Sequence, residues 1–336
     1  MRKVIISGEK RAEIIQVPTP RPKEDWVLVK VEVIPMCTEY KAFRGGGRHE
    51  FLGHEAAGEV VEVAQPGRVK VGDRVVVMPL FPCGTCPLCL AGDYIHCERH
   101  IDVAAFTGSP EGYETYAEYV LKPDWLCVPI PEGVSYRHAG MACCGLGPTF
   151  NACETMNVNA FDTVLVTGLG PVGLGGVINA TYRGARVIGV DANAYRAELA
   201  QRLGAERVVD PSATDAREQI MALTGGIGVD KAVDCSGMAA AQRLCIDAAR
   251  RRGHVSFVGE SGELTVAVSD DFIRKGLTVH GVWHYNLAHT PRMMRLIQES
   301  GDKLDRMITH EFPLDRVQEA LELQVTGQCG KVILTP

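Results

Sequence analysis

Four cysteines fall within fifteen residues, in Phe81-Pro82-Cys83-Gly84-Thr85-Cys86-Pro87-Leu88-Cys89 and then Cys97, a C-x2-C-x2-C-x7-C spacing. Two-residue gaps let a tight loop bring several sulfurs onto one tetrahedral ion, and Gly84 and Pro87 help the chain turn. Four thiolates leave no open coordination position, so the lobe is expected to hold a structural zinc, with His96 at the surface or behind the ligands. A second set is sparser. Cys37 ends a strand-like run, His54 follows in Gly53-His54-Glu55-Ala56-Ala57-Gly58, and Cys144 lies far downstream. Two thiolates and an imidazole would hold a zinc with one position left for water or substrate. By spacing alone, these residues fit packed core side chains equally well.

A third pattern suits phosphate. Val164-Leu165-Val166-Thr167 runs into Gly168-Leu169-Gly170-Pro171-Val172-Gly173 and then an apolar helical stretch. This is G-x-G-x-x-G in the strand-to-helix context that gives it meaning. Gly168 permits the turn, Gly170 lets the backbone approach a pyrophosphate, Pro171 and Val172 open the helix, and Gly173 allows close helix–strand packing. The next strand ends in Asp191, whose carboxylate is expected to take both ribose hydroxyls and repel a 2′-phosphate. Ala192 and Asn193 add no cation, so NAD is expected rather than NADP.

The elements that must position these groups fall into two rhythms. Residues 1–144 read as a β-rich, barrel-like domain: Val27, Val29, Val31 and Val33 alternate with Leu28, Lys30 and Glu32, the period of a half-buried strand. Further strands are predicted at 57–63, 74–78, 116–121 and 126–130, punctuated by Pro66-Gly67, Gly72-Asp73 and Glu132-Gly133. Over 145–286, apolar strands are predicted at 164–167, 187–190, 207–209, 231–234, 254–258 and 277–282, with helices at 171–183, 193–203 and 238–250. Strands and helices in alternation specify a parallel α/β sheet, and six strands suit a doubly wound dinucleotide-binding fold. The 259–276 link lacks helical periodicity and reads as a loop. The tail, 287–336, has two helix candidates and a final strand at Lys331-Val332-Ile333-Leu334, and is expected to return to the first domain.

The 336 residues are 46% hydrophobic and 23% charged with a net charge of −6, a globular composition without the basic footprint of nucleic-acid or anionic-membrane binding. No apolar run reaches the ~18 residues of a membrane span, and the N-terminus turns polar too soon for a signal peptide. Clustered cysteines in such a chain suggest reduced thiolates and a cytoplasmic location.

Taken together, the chain resembles the medium-chain zinc-dependent alcohol dehydrogenase family, of the polyol and threonine dehydrogenase type. The likeness runs through Gly53 to Gly58, Val71-Gly72-Asp73-Arg74-Val75, the cysteine lobe, Tyr116-Ala117-Glu118-Tyr119-Val120, Gly168 to Gly173 and Gly330-Lys331-Val332-Ile333. It implies a chaperonin-10-like (GroES-like) β-barrel catalytic domain, a Rossmann domain for NAD, and a cleft for the alcohol. By position it implies that Cys37 and His54 bind catalytic zinc, with Glu55 behind the metal or exchanging onto it. The third ligand is Cys144, with Cys143 the register alternative, and Lys331 meets the cofactor pyrophosphate. Relatives read Cys-x-(Ser/Thr)-Asp after the first ligand, whereas Thr38 follows Cys37 directly, as though one residue were missing; an ungapped alignment would put Met36 at the ligand position. Thr38 then becomes the hydroxyl on the reacting oxygen and Glu39 the carboxylate orienting His54. Lys41 stands where a proton-relay histidine is expected, with His49 nearby.

The resemblance implies hydride transfer between NAD and an alcohol activated by zinc. Phe51, Phe106 and Trp283 are candidate cleft walls and His284 a candidate polar contact. With Glu39, Lys41 and His49, these favour a polyol, cyclitol or sugar-derived secondary alcohol. An NAD-dependent epimerase or lyase of the same fold, and a nucleotide-binding protein without catalytic zinc, are the alternatives. A homodimer or homotetramer is expected, paired through strand 277–282.

Overall fold

The alternating valines of Trp26–Pro35 form the spine of the first unit in a computed structural model of the chain, which describes residues 1–260 and 262–336. Val27, Val29 and Val31 are 2% exposed or less and share a core with Val60, Val75, Val77, Val120 and Val332. Full burial of each such side chain stabilises the fold by roughly 1.5–3 kcal/mol.

Around this spine the sheet runs in the order Ile308–Pro313, Lys331–Thr335, Trp26–Pro35, Ala56–Val63, Arg74–Val77, Cys127–Pro129, with Tyr119–Pro123 also paired to Trp26–Pro35. Neighbours are antiparallel except Ile308–Pro313 beside Lys331–Thr335. A separate antiparallel hairpin, Arg2–Gly8 and Arg11–Gln16, was not predicted. Strand 116–121 was predicted three residues early. Tyr116 instead donates its backbone N–H to Leu52, so the ladder starts at Tyr119.

The second unit is a six-stranded parallel sheet ordered Arg207–Val209, Arg186–Val190, Thr163–Thr167, Val229–Asp234, Ala249–Phe257, Thr278–Gly281. In chain order this is 3-2-1-4-5-6, the doubly wound Rossmann arrangement. Helices Pro171–Tyr182, Ala194–Leu203, Ala216–Leu223 and Ala239–Ala248 connect the strands. The expected loop at 259–276 contains one wide helical turn, Val268–Ile273. Asp271 anchors it by accepting from Arg243 Nη1 and Nη2 at 2.7 Å and from the Ala267 amide at 2.7 Å, side-chain bonds that apolar periodicity does not register.

One unit comprises 1–144, 286–301 and 308–336, and the other 145–285 and 302–307. The tail is therefore shared: residues 302–307 belong with the parallel sheet, where Lys303 donates to Thr181 Oγ1 at 2.7 Å. No helix among the described residues is long and apolar enough to cross a membrane.

Candidate functional site

Strand register assembles the first group of donors. Ile333 pairs with Pro35, and the Met36 amide donates to Val332 O at 2.9 Å, so the start of the last strand lies beside Cys37. Glu55 immediately precedes Ala56–Val63, whose Ala57 pairs with Val33 on the central strand. Gly53 makes the turn before it at φ +86°. A Cβ there would lie 2.4 Å from both Thr115 Oγ1 and Tyr116 Cδ1, so only glycine lets the chain deliver His54 past this floor.

Cys37, His54, Glu55 and Cys144 thus bring one ligand atom each to within 4.8 Å of one another. His54 Nε2 is 3.2 Å from Cys144 Sγ, while His54 Nδ1 meets Glu39 Oε1 at 3.2 Å. The carboxylate holds the proton on Nδ1 and leaves Nε2 facing the thiols. Glu55 is fully buried, accepts from the Cys144 amide at 3.1 Å and meets Lys331 Nζ at 2.8 Å.

The electrostatics suit a cation. Burial opposes ionisation of Glu39, yet the bonds from His54 and the Cys37 amide hold its carboxyl down to about 2. Burial pushes Glu55 up to about 7 despite Lys331. The thiol of Cys144 hydrogen-bonds Cys37, which lowers the pKa of Cys37 and raises that of Cys144. Two carboxylates and two thiols face one ammonium and one imidazole, so once the thiols ionise a divalent cation offsets most of the excess negative charge. The donor set, soft sulfur with imidazole, is that of zinc.

Of the register alternatives, Met36 is fully buried in the apolar core, and Cys143 turns its thiol to Val77 O at 3.4 Å; neither joins the group. Thr38 is exposed and its side chain does not cap the helix Glu39–Gly45; Lys41 and His49 are also exposed. Lys331 is 1% exposed and its ammonium meets Glu55 at 2.8 Å, beside the Cys37 group. The short β-period run of Lys331 to Leu334 carried no sign of this burial.

Among the wall candidates, Phe51 is 44% exposed and stacks on Tyr113 at 4.4 Å, and Trp283 is 48% exposed. Phe106 packs against Trp26 at 5.0 Å. His284 is 2% exposed and stacks on Tyr285 at 4.9 Å. These last two are packing residues, since ring burial drives them inward.

In the cysteine lobe, Sγ separations are 3.4 Å (Cys86–Cys89), 3.6 Å (Cys83–Cys97) and 3.9 Å (Cys86–Cys97), and all four lie within 4.8 Å. Sulfurs ~2.3 Å from a tetrahedral centre stand about 3.8 Å apart, so the lobe has the dimensions of a zinc cage. The backbone N–H and hydroxyl of Thr85 draw the Cys83 thiol down to about 5. Trp125 packs against the four cysteines, while His96 is exposed.

The glycine turn lies in the second unit. Gly168 has φ +77°, and a Cβ there would sit 2.6 Å from Ser236 Cβ; one on Gly173 would sit 1.9 Å from Gly168 O. Gly170 faces nothing closer than Arg196 Nη1 at 3.8 Å, so its face is open where the helix Pro171–Tyr182 begins. Asp191 accepts from the Leu169 amide at 2.6 Å and the Asn193 amide at 2.8 Å. Arg196 was missed. Asn193 caps the helix Ala194–Leu203, and its first turn carries the guanidinium to the glycine loop. Arg196 Nε is buried without a hydrogen-bond partner among the described residues.

Two family descriptions match the chain: an alcohol dehydrogenase GroES-like domain over residues 23–132 and a zinc-binding dehydrogenase over 171–299. An uncharacterized zinc-type alcohol dehydrogenase-like protein of Escherichia coli K12 is 32% identical, covering 98% of this chain and 97% of its own length. An L-threonine 3-dehydrogenase of Symbiobacterium thermophilum is 31% identical, covering 100% and 97%. Among solved structures, an alcohol dehydrogenase of Thermus sp. ATN1 is 25% identical, covers 100% of both chains and has a TM-score of 0.89. With a GroES-like domain, a Rossmann sheet and these full-length relatives, the chain belongs to the medium-chain, zinc- and NAD-dependent alcohol dehydrogenase family of oxidoreductases.

Proposed function

We propose that the protein carries two zinc ions, one held by Cys37, His54 and Cys144 with Glu55 behind or exchanging onto it, and one held by Cys83, Cys86, Cys89 and Cys97. We further propose that it oxidises a secondary alcohol to a ketone with NAD. The observation that carries this reading is the convergence of the Cys37, His54, Glu55 and Cys144 donor atoms within 4.8 Å, with His54 fixed by Glu39.

When bound there, zinc supplies Lewis acidity toward an alcohol oxygen. The chain's own residues supply the rest. Glu39 orients the imidazole through Nδ1, Lys331 offsets the buried Glu55, and Thr38 presents an exposed hydroxyl that accepts the substrate's proton while handing its own onward. Exposed Lys41 and His49 offer onward routes to water. On the nucleotide side, Gly168, Gly170, Pro171, Val172 and Gly173 receive the pyrophosphate, with Arg196 beside them, and Asp191 takes the adenosine ribose and disfavours a 2′-phosphate.

A polyol, cyclitol or sugar-derived alcohol is the proposed substrate class. Lys41 and His49 support it by their exposure, and one relative is an L-threonine 3-dehydrogenase. Glu39 and His284 no longer contribute to that argument, being buried. The exposed edge strand Thr278–Gly281, with Val279 39% exposed, is the proposed seam of a homodimer or homotetramer. Twelve free cysteines fit a reducing, cytoplasmic setting.

The test is NADH formation across polyols, cyclitols, amino alcohols and simple alcohols, with zinc counted per chain. Cys37→Ser is expected to abolish turnover and remove one of two zincs while the fold persists. Near-normal turnover in that variant rejects the ligand assignment. One zinc in the wild type, bound at the cysteine lobe, favours a nucleotide-binding protein, and oxidation without net NADH favours an epimerase or lyase.

A further inference from the structure

Glu39 is held by more than the histidine it orients. Its Oε2 accepts from the Cys37 amide at 2.9 Å and from Tyr116 Oη at 3.2 Å, and its Oε1 faces His54 Nδ1 at 3.2 Å. With two donors on one oxygen, the carboxylate has a single torsion in which the other oxygen reaches the imidazole. Tyr116 is itself immobile. It is 0% exposed, its amide donates to Leu52 O at 3.0 Å, and its carbonyl accepts from the Val4 amide at 2.8 Å. Its ring also forms the floor beneath Gly53, one residue before His54.

We infer that Tyr116 is a positioning residue for the metal centre: its hydroxyl locks the Glu39 carboxylate, which in turn fixes the ring plane and tautomer of His54. The inference rests on the metal ligation proposed above. A glutamate carboxylate has one torsion more than an aspartate's, and the tyrosine hydroxyl restrains it. Sequence reading passed over Tyr116 because Tyr116 lies 77 residues from Glu39 and reads as ordinary strand.

Tyr116→Phe removes only the hydroxyl and keeps the ring beneath Gly53. The whole zinc-loaded protein is challenged with dipicolinate, and release of the two zincs is followed separately, the cysteine-lobe ion serving as internal standard. Loss of partners behind a ligand typically costs 10–100-fold in metal affinity, so about tenfold faster loss from the Cys37 site is expected, with the lobe unchanged. Cobalt(II) placed at the Cys37 site is expected to show altered ligand-field bands in Tyr116→Phe, and Tyr119→Phe to behave as wild type. Wild-type release and an unchanged cobalt spectrum in Tyr116→Phe overturn the inference while leaving the ligation intact. A wild-type protein that binds no metal at Cys37 and His54 overturns both. Should Tyr116→Phe lose both zincs together, the residue is merely structural and the inference also falls.

Discussion

Lys331 and Glu55 are 1% and 0% exposed and meet at 2.8 Å, which makes their pair a sensitive probe of how the catalytic unit is held together. Lys331→Met leaves the Glu55 carboxylate buried with one backbone donor, the Cys144 amide. Glu55→Gln leaves the ammonium buried without a counter-charge. Breaking a buried pair from one side costs about 3–5 kcal/mol, whereas replacing both partners by neutral groups of similar volume is often near neutral. Each single change is therefore expected to destabilise the first unit by about 3–5 kcal/mol, and the double variant by about 1–2 kcal/mol. The coupling that follows, several kcal/mol, is far outside the ~0.5 kcal/mol scatter of independent sites. Urea unfolding is followed by the fluorescence of Trp26 and Trp125, both in the first unit, in a Trp283→Phe background that silences the second. With two units in the chain, this probe isolates one transition. Additive effects within ~0.5 kcal/mol, or a Lys331→Met cost below about 1 kcal/mol, refute the reasoning that these charges are dehydrated and mutually dependent.

Two further outcomes follow from single positions. Lys122 is 3% exposed and donates to Leu80 O at 2.7 Å, and burial draws its ammonium from 10.5 down to about 7. The unfolded chain therefore binds the extra proton between those values, so this residue's contribution is full above pH ~10.5 and is lost as pH falls through about 7. The stability gap between wild type and Lys122→Met is expected to move in the wild type's favour as pH rises through that window, and a pH-independent gap contradicts it. Gly173→Ala puts a methyl 1.9 Å from Gly168 O and is expected to raise the KM for NAD at least about tenfold, a loss of about 1.4 kcal/mol in binding, with both zincs retained. An unchanged KM shows that the turn is not the cofactor's seat.

What could be read in the amino-acid order is what repeats locally. The valine alternation of Val27 to Val33 and the strand–turn–helix of Val164 to Gly173 each carry their meaning within a dozen residues. The cysteine lobe is similarly self-contained. The pairing of Glu39 with His54 was expected from the family resemblance and not from any local repeat. The contacts of Tyr116 with Glu39 and of Lys331 with Glu55 were not legible: packing brings these partners together, and nothing in the local periodicity marks them. The hairpin Arg2–Gly8 and Arg11–Gln16 was missed for a related reason: its second strand is half-exposed throughout its middle and lacks apolar contrast.

The pairing of strand Lys331–Thr335 with Trp26–Pro35 has a consequence for biosynthesis. Glu55, made early, waits for a partner made 276 residues later before it gains its counter-charge. The Rossmann sheet, whose strands lie within 163–281, can complete itself while that partner is still unmade. Vectorial synthesis therefore lets the parallel sheet pair its strands before Glu55 can meet Lys331.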